Sequence, residues 1–277
     1  MTKGFLIFAQ NNPDIDYCKL AVFCAKRLKT YMDVPVSIVT DSPEWLLSSQ
    51  PEAGMLFDKI IRCFSNTTQS KKFHDGSMFY KKLQWKNLSR VEAYDLSPYD
   101  KTIVIDSDYI VASNFLEKLF SSSHDVMLYR KSYDLAQWRD TSSFDYINQS
   151  IPFYWATVLY FTKSEESKML FTLVKIIREN WQYYRLLYRI DASMYRNDYA
   201  FSLAVHMLNG QVDLPSIGVI PGYKFYVLDK DLLLDIQDST MKFLVEKEKY
   251  HGEYICTSIS DVDVHVMNKY SLARLIT

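Results

Sequence analysis

Lys101-Thr102-Ile103-Val104-Ile105-Asp106-Ser107-Asp108-Tyr109-Ile110-Val111 sets an apolar run against two aspartates one residue apart. The run from Ile103 to Ile105 suits a buried strand. On an extended strand, side chains two apart share a face. Asp106 and Asp108 are therefore expected to offer their carboxylates to one point at the strand's end. Like charges that close repel unless a cation lies between them. A hard divalent ion fits, and Mg²⁺ or Mn²⁺ commonly arrives with substrate phosphates. The plain alternative is a strand followed by an Asp-rich turn.

The flanking sequence places this strand in a larger pattern. Residues 4–9 form a second apolar run that ends in Gln10-Asn11-Asn12. Residues 17–31 carry Leu20, Ala21, Phe23, Cys24 and Leu28 at helical spacing. Residues 36–40 predict a strand stopped by Asp41-Ser42-Pro43, and 59–64 a third short one. Residues 77–94 predict a helix with Met78, Leu83, Leu88 and Val91 on its buried face. Strand–helix alternation of this kind predicts an α/β fold with a mostly parallel sheet. Ligands on such sheets bind beyond the carboxyl ends of the strands. Asn11 and Asn12, Asp41, and the Asp106/Asp108 pair all fall there, although Asn and Asp also serve as simple turn formers.

Further on, 126–129 reads as a strand and 130–150 as a polar, irregular, mobile loop. Residues 152–162 are aromatic and β-prone, 164–188 predict one long amphipathic helix, and 197–209 a shorter one ending at Gly210. Residues 211–277 mix short strands with a charged stretch at 246–249.

Bulk properties narrow the function. The 277 residues suit one large domain, or one domain with an appended lobe. With only 7 Gly there is no Gly-rich phosphate loop, so a nucleotide must be held another way. A net charge of −1 excludes a global basic field for nucleic acid. Cys18, Cys24, Cys63 and Cys256 lack metal-ligand or disulfide-framework spacing and suit a reducing compartment. No signal peptide and no apolar run of about 20 residues is read, so the expected location is the cytoplasm.

Taken together, these motifs resemble a glycosyltransferase of the GT-A type, of the glycogenin and bacterial galactosyltransferase kind. Phe8-Ala9-Gln10-Asn11-Asn12 resembles that family's nucleoside-gripping segment, and Val39-Thr40-Asp41 its second strand end. Tyr80-Lys81-Lys82-Leu83 resembles a helix whose basic residue faces the sugar donor, which would make Lys82 that residue. Asp106-Ser107-Asp108 matches the Asp-x-Asp signature that binds metal and donor diphosphate. Arg196-Asn197-Asp198 stands where the family has Asp-Gln-Asp, with Arg replacing the first Asp. Val264-His265-Val266-Met267-Asn268-Lys269 resembles the C-terminal motif, with Asn268 in place of a Gly and Lys269 closer to the His than usual. Trp155-Ala156-Thr157-Val158 replaces an Asn-x-Gly.

The resemblance implies a single domain over 1–277. Residues 1–125 would form the nucleotide-sugar half, and 126–277 the acceptor half with a C-terminal segment closing over the active edge. It implies Asp106, Asp108 and His265 as ligands of Mn²⁺ or Mg²⁺. It also implies Ala9, Gln10, Asn11, Asn12, Asp41, Lys82, Ser107 and Lys269 around a UDP-linked donor, and Asp198 and Asn197 at the reacting sugar. The activity implied is that of a hexosyl- or pentosyltransferase.

Other readings stay open. His265 alternates with Val264 and Val266 and would serve equally as a structural residue of a strand. Asp198 at a helix start could be a cap or dipole partner. A non-catalytic sugar-nucleotide-binding module on the same fold is compatible with Arg196 and Trp155. A phosphatase of the haloacid dehalogenase type also carries Asp-x-Asp after a strand, but Ile110 stands where it wants Thr or Val. The acceptor is a glycan by default. Basic residues among aromatics, including Lys71, Lys72, Lys86, Arg90, Arg178 and the run Tyr183, Tyr184, Arg185, Tyr188, Arg189, would also suit a nucleic acid. The Gly-poor, Tyr-rich style is similar to that of bacteriophage proteins, which adds hydroxymethylated DNA as an acceptor and the host cytoplasm as its place.

Overall fold

The strand Lys101–Asp106 is the middle one of a seven-stranded sheet in the computed structural model. The described residues are 1–64, 70–74, 80–84, 86, 89–141, 146–148, 150–212, 216–247 and 252–276. On one side Lys101–Asp106 pairs in parallel with Lys3–Ala9, which pairs in parallel with Val36–Thr40, and that with Ile60–Arg62. On the other side Trp155–Thr162 pairs antiparallel, followed by Val126–Tyr129 and Gly218–Val219. The sheet is thus mostly parallel and draws strands from both sides of residue 125. Its central strands are near-continuous apolar runs because both faces are covered. The helix Tyr17–Tyr31 packs on Lys3–Ala9, and the helix Asn197–Leu208 on Trp155–Thr162.

The parallel strands end level. Phe8 lies opposite Asp106 and Ala9 opposite Thr40. Gln10, Asp41 and the Asp106–Asp108 turn therefore leave the sheet at one edge. The chain then turns straight into the helix Tyr17–Tyr31, where the carboxylate of Asp16 accepts from the Lys19 N–H at 3.0 Å.

A second sheet, of five strands among the described residues, covers that edge. Its order is Arg139–Asp140, Lys131–Asp134, Tyr223–Val227, Val264–Val266 and Tyr109–Ile110. The last pairing ties the C-terminal region to the residues just after Asp108. A three-stranded antiparallel sheet, Leu233–Gln237, Thr240–Glu246 and Tyr254–Ser260, lies in the chain between Tyr223–Val227 and Val264–Val266. The helix Lys269–Leu275 follows Val264–Val266.

Three expectations need correction. Within 77–94 the described residues form the strand Tyr80–Gln84, paired antiparallel with Ser70–His74, then a 3₁₀ turn Ser89–Glu92 and a short helix Ala93–Leu96. The reason lies in the spacing. Met78, Leu83 and Leu88 recur every five residues, a step of about 140° round a helix, so they share no face.

Within 130–150, Lys131–Asp134 and Arg139–Asp140 are paired strands, and Tyr146–Ile147 pairs with Ile151–Pro152. Polar residues are buried there by pairing with each other, as Ser132 does with Thr141. Residues 142–145 and 149 lie outside the described ones. The long helix 164–188 is two, Glu165–Glu179 and Trp181–Leu187. Asn180 breaks it by turning its amide back to the Ile176 carbonyl at 2.9 Å. Of the charged stretch 246–249, residues 248 and 249 lie outside the described ones.

Candidate active site

At the sheet's carboxyl edge Asp106, Asp108 and His265 converge, with one ligating atom from each lying within 4.8 Å of the others. The strand turn supplies the two carboxylates. The imidazole comes from 157 residues further on. His265 stands opposite Tyr109 in the pairing of Val264–Val266 with Tyr109–Ile110, and the Val266 N–H donates to the Asp108 carbonyl at 2.9 Å. His265 Nε2 lies 3.2 Å from Asp108 Oδ2 and 3.8 Å from Asp106 Oδ2. Its Nδ1 is buried with no partner among the described residues.

Two further cations close on the carboxylates. Lys269 Nζ lies 2.5 Å from Asp108 Oδ2 and donates to the Met267 carbonyl at 2.8 Å. Asn268 explains how Lys269 reaches so soon after His265. Its side chain caps the helix Lys269–Leu275 by accepting from the Ser271 N–H at 2.9 Å, which puts Lys269 in the first turn beside the site. The guanidinium of Arg90, from the 3₁₀ turn, pairs with Asp106 and also donates to the Ala156 carbonyl. Burial pushes the Asp106 carboxyl up, with Arg90 opposing. Burial acts likewise on Asp108, but Lys269 and His265 outweigh it and hold that carboxyl far below its ordinary range.

These groups line a cleft of about 260 Å³ that also takes in Phe8, Gln10, Ser107, Trp155, Asn197, Asp198 and Lys224. Gln10 is buried, donating from Nε2 to Cys63 Sγ at 3.0 Å, while its Oε1 has no partner among the described residues. Asp198 Oδ1 accepts from the Ala156 N–H at 2.9 Å, and Oδ2 accepts from Arg196 at 3.0 Å. Burial raises its carboxyl, but Arg196, Lys224 and the Ala156 N–H together bring it below the ordinary value. Asn197 accepts from the Tyr195 hydroxyl at 3.1 Å. Opposite, Lys224 is fully buried, with Nζ 3.6 Å from the centroid of the Trp155 ring. Burial pushes its amine down to about 7.

The other sequence candidates lie further out. Asn11 accepts from the Cys18 N–H at 3.0 Å, and Asn12 from those of Asp14 and Ile15 at 3.0 and 2.9 Å. Both shape the loop beyond the first strand and line a separate outer hollow with Trp45. Ala9 is fully buried in the strand. Asp41 pairs with Lys86 at 2.8 Å, and it is Lys86 that lines the cleft. Lys82 is exposed on Tyr80–Gln84 and does not line the cleft. Where the resemblance had Lys82 face the donor, Arg90 faces the aspartates instead. Arg90 and Lys224 were not read as site residues. Arg90 sits in a turn with no periodicity. Lys224 had a signal, a lysine on the same strand face as Tyr226 in an otherwise aromatic strand.

No family model matches the chain, and no curated protein matches it in sequence. Among solved structures it is similar to the glycosyltransferase GlyE of Streptococcus pneumoniae TIGR4, at 15% identity and a TM-score of 0.46 over 79% of this chain and 45% of that one. It is also similar to the galactosyltransferase LgtC, at 12% identity and 0.46 over 73% and 70%. A third is mouse xyloside xylosyltransferase 1, at 12% and 0.46 over 82% and 85%. The matched region is thus under half the length of GlyE. Likeness at this level concerns the path of the chain and says nothing of substrates.

Proposed function

We propose that this chain is a metal-dependent glycosyltransferase that moves a sugar from a nucleotide-sugar, UDP-linked, to a hydroxyl of a glycan. The observation that supports it most is the joint placement of Asp106, Asp108 and His265 with Arg90 and Lys269 at the carboxyl edge of a mostly parallel sheet. Two hard carboxylates and one imidazole suit Mn²⁺ or Mg²⁺, the imidazole favouring Mn²⁺. Such an ion would offset the charge that grows on a departing diphosphate.

The chain's own residues supply the rest of the reading. Lys269 and Arg90 are close enough to the carboxylates to turn to phosphate oxygens once an ion takes their place. Gln10, with its free amide oxygen, and Ser107 line the part of the cleft where the nucleoside would lie, with the Asn11–Asn12 loop beyond it. Asp198 and Asn197 lie at the opposite end, where the sugar would sit. Trp155 and Tyr226 keep water from that end.

The glycan is favoured over DNA because four of the basic residues that suggested nucleic acid face carboxylates among the described residues. Arg90 pairs with Asp106, Lys86 with Asp41, Arg178 with Glu92 and Arg196 with Asp198. Against the phosphatase alternative stands Ile110, where that motif wants Thr or Val. No helix of the described residues is long and apolar enough to cross a membrane.

The test is release of nucleoside diphosphate from a panel of nucleotide-sugars, with glycan and hydroxymethylated duplex DNA as acceptors. Turnover should require Mn²⁺ or Mg²⁺ and stop in excess EDTA. Full turnover in EDTA would refute the metal role, and absence of turnover alongside tight donor binding would favour the non-catalytic module.

A further inference from the structure

The cleft contains a cation that the roles above do not use. Lys224 projects from Tyr223–Val227, a strand flanked by Lys131–Asp134 and Val264–Val266. It is fully buried, and its Nζ has no hydrogen-bond partner among the described residues. It rests against two aromatic faces, 3.6 Å from the Trp155 centroid and 4.8 Å from that of Tyr226. The other cleft-lining cations have acids: Arg90 on Asp106, Lys269 on Asp108, Arg196 on Asp198, and Lys86 on Asp41. Asp198 is near enough to act on Lys224 through space, but its oxygens bond the Ala156 N–H and Arg196, and neither makes a hydrogen bond to Nζ. An amine removed from water without an acceptor is costly, and aromatic faces compensate only in part.

The position of this amine matters as much as its isolation. Ala156 joins the two ends of the cleft. Its carbonyl accepts from Arg90, which holds Asp106, and its N–H goes to Asp198. The corner formed by Trp155, Asp198 and Lys224 is therefore the next surface beyond the aspartate end, where a sugar carried on a diphosphate would extend.

We propose that Lys224 reads a carboxylate on the transferred sugar, so that the donor is a nucleotide-linked uronic acid. The inference rests on the nucleotide-sugar reading above. A neutral hexose would offer the buried amine only hydroxyls, whereas a carboxylate supplies the missing charge and a charge-assisted hydrogen bond. The flexible four-carbon stem lets the amine leave the Trp155 face to meet it. Asp198, with both oxygens already held, would bound the pocket on the other side and exclude a carboxylate placed there. The lowered affinity of this amine for its proton agrees with a site built around an absent anion, which would restore the charge on binding.

Calorimetric titration with UDP, UDP-glucose and UDP-glucuronate in the presence of Mn²⁺ tests this on the intact chain and on Lys224→Met. The unaltered chain should bind UDP-glucuronate at least about tenfold more tightly than UDP-glucose. Lys224→Met should lose that preference while still binding UDP, which also shows that it folds. Equal or weaker binding of the uronate by the unaltered chain, with UDP bound normally, overturns the uronate assignment and leaves the nucleotide-sugar reading in place. So does a uronate preference that survives in Lys224→Met. Failure of all three ligands to bind in a metal-dependent way overturns the nucleotide-sugar reading and this inference with it.

Discussion

At the Asp106 end of the cleft, Arg90, Lys269 and His265 each face a carboxylate; at the Trp155 end, Lys224 faces two aromatic rings. The first end is partly open and the second closed, yet it is the closed end whose cation lacks a paired acid among the described residues. At the first end every charge is matched without a ligand, because side chains occupy the places that a divalent ion and a diphosphate would take. The second end is not so matched, and its amine, with no hydrogen-bond partner among the described residues, is the kind of feature a ligand group can complete. A site can thus present itself in two ways, as a network in which protein cations hold the ligand's place, and as a single buried amine set against aromatic rings.

The largest effects are expected where the paired network is broken. Asp108→Ala leaves Lys269 buried against a vacated carboxylate, and Asp106→Ala does the same to Arg90, which is 2% exposed. Either should cut transfer by about a hundredfold or more. Each should also cost about 3–5 kcal/mol of stability, because a buried charge loses its partner. Asp108→Asn keeps the shape and should lose the transfer with less of the stability. Steady-state rates and urea unfolding separate the two effects, and a variant that keeps its turnover would remove the aspartates from the chemistry.

His265→Ala should weaken Mn²⁺-dependent UDP binding roughly 10–100-fold. Its urea midpoint should change less than that of the aspartate variants, since the imidazole has one free nitrogen and no buried charge depends on it alone. A titration in which His265→Ala binds UDP and Mn²⁺ as before would mean that the histidine only fills space beside Tyr109.

A carboxylate outside the cleft sharpens the comparison from the other direction. Asp134 is buried without a cation to match Lys269, and burial pushes its carboxyl up to about 6, against the Ala136 N–H that it accepts at 3.0 Å. The unfolded value is near 3.9, so between about pH 4 and 6 the folded chain keeps a proton that the unfolded chain has lost. Its contribution to stability is therefore fully present below pH ~4 and lost as pH rises through ~6. Asp134→Asn keeps the bond to Ala136 and should flatten the unfolding free energy over that window by about 1–2 kcal/mol. Asp108, held low by Lys269 and His265, should show the opposite slope in strong acid.

The smallest effect is expected in the outer loop. Asn11→Ala removes an acceptor from the Cys18 N–H and should cost about 1 kcal/mol of stability. It should change UDP affinity by only a few-fold. A loss of UDP binding as large as that of His265→Ala would move the nucleoside out to this loop.

Much of this arrangement was legible in the chain. The apolar runs at Lys3–Ala9, Val36–Thr40 and Lys101–Asp106 declare themselves because a strand covered on both faces tolerates little else. The shared direction of Asp106 and Asp108 follows from the same run, since residues two apart at a strand's end lie on one face. His265 was legible only through its resemblance to a motif, because the pairing with Tyr109 that delivers it is a contact between distant segments. Arg90 was hidden in a 3₁₀ turn whose sequence has no period, and the five-residue recurrence around it looked helical only when the angle between steps was ignored. Lys224 could be seen only as an odd residue in an aromatic strand. Its setting, against Trp155 and Tyr226 with Asp198 turned to Ala156 and Arg196, comes from contacts between distant segments, and no local pattern encodes that.

The central claim is that Asp106, Asp108 and His265 together hold a divalent ion against a nucleoside diphosphate. Anomalous diffraction from crystals grown with Mn²⁺ and UDP tests it most directly. The account predicts a single manganese peak in contact with one oxygen of each aspartate and Nε2 of His265, with Lys269 moved from Asp108 toward a phosphate. UDP bound with no manganese peak between these three side chains, or with Lys269 still seated on Asp108 and His265 turned away, would contradict it.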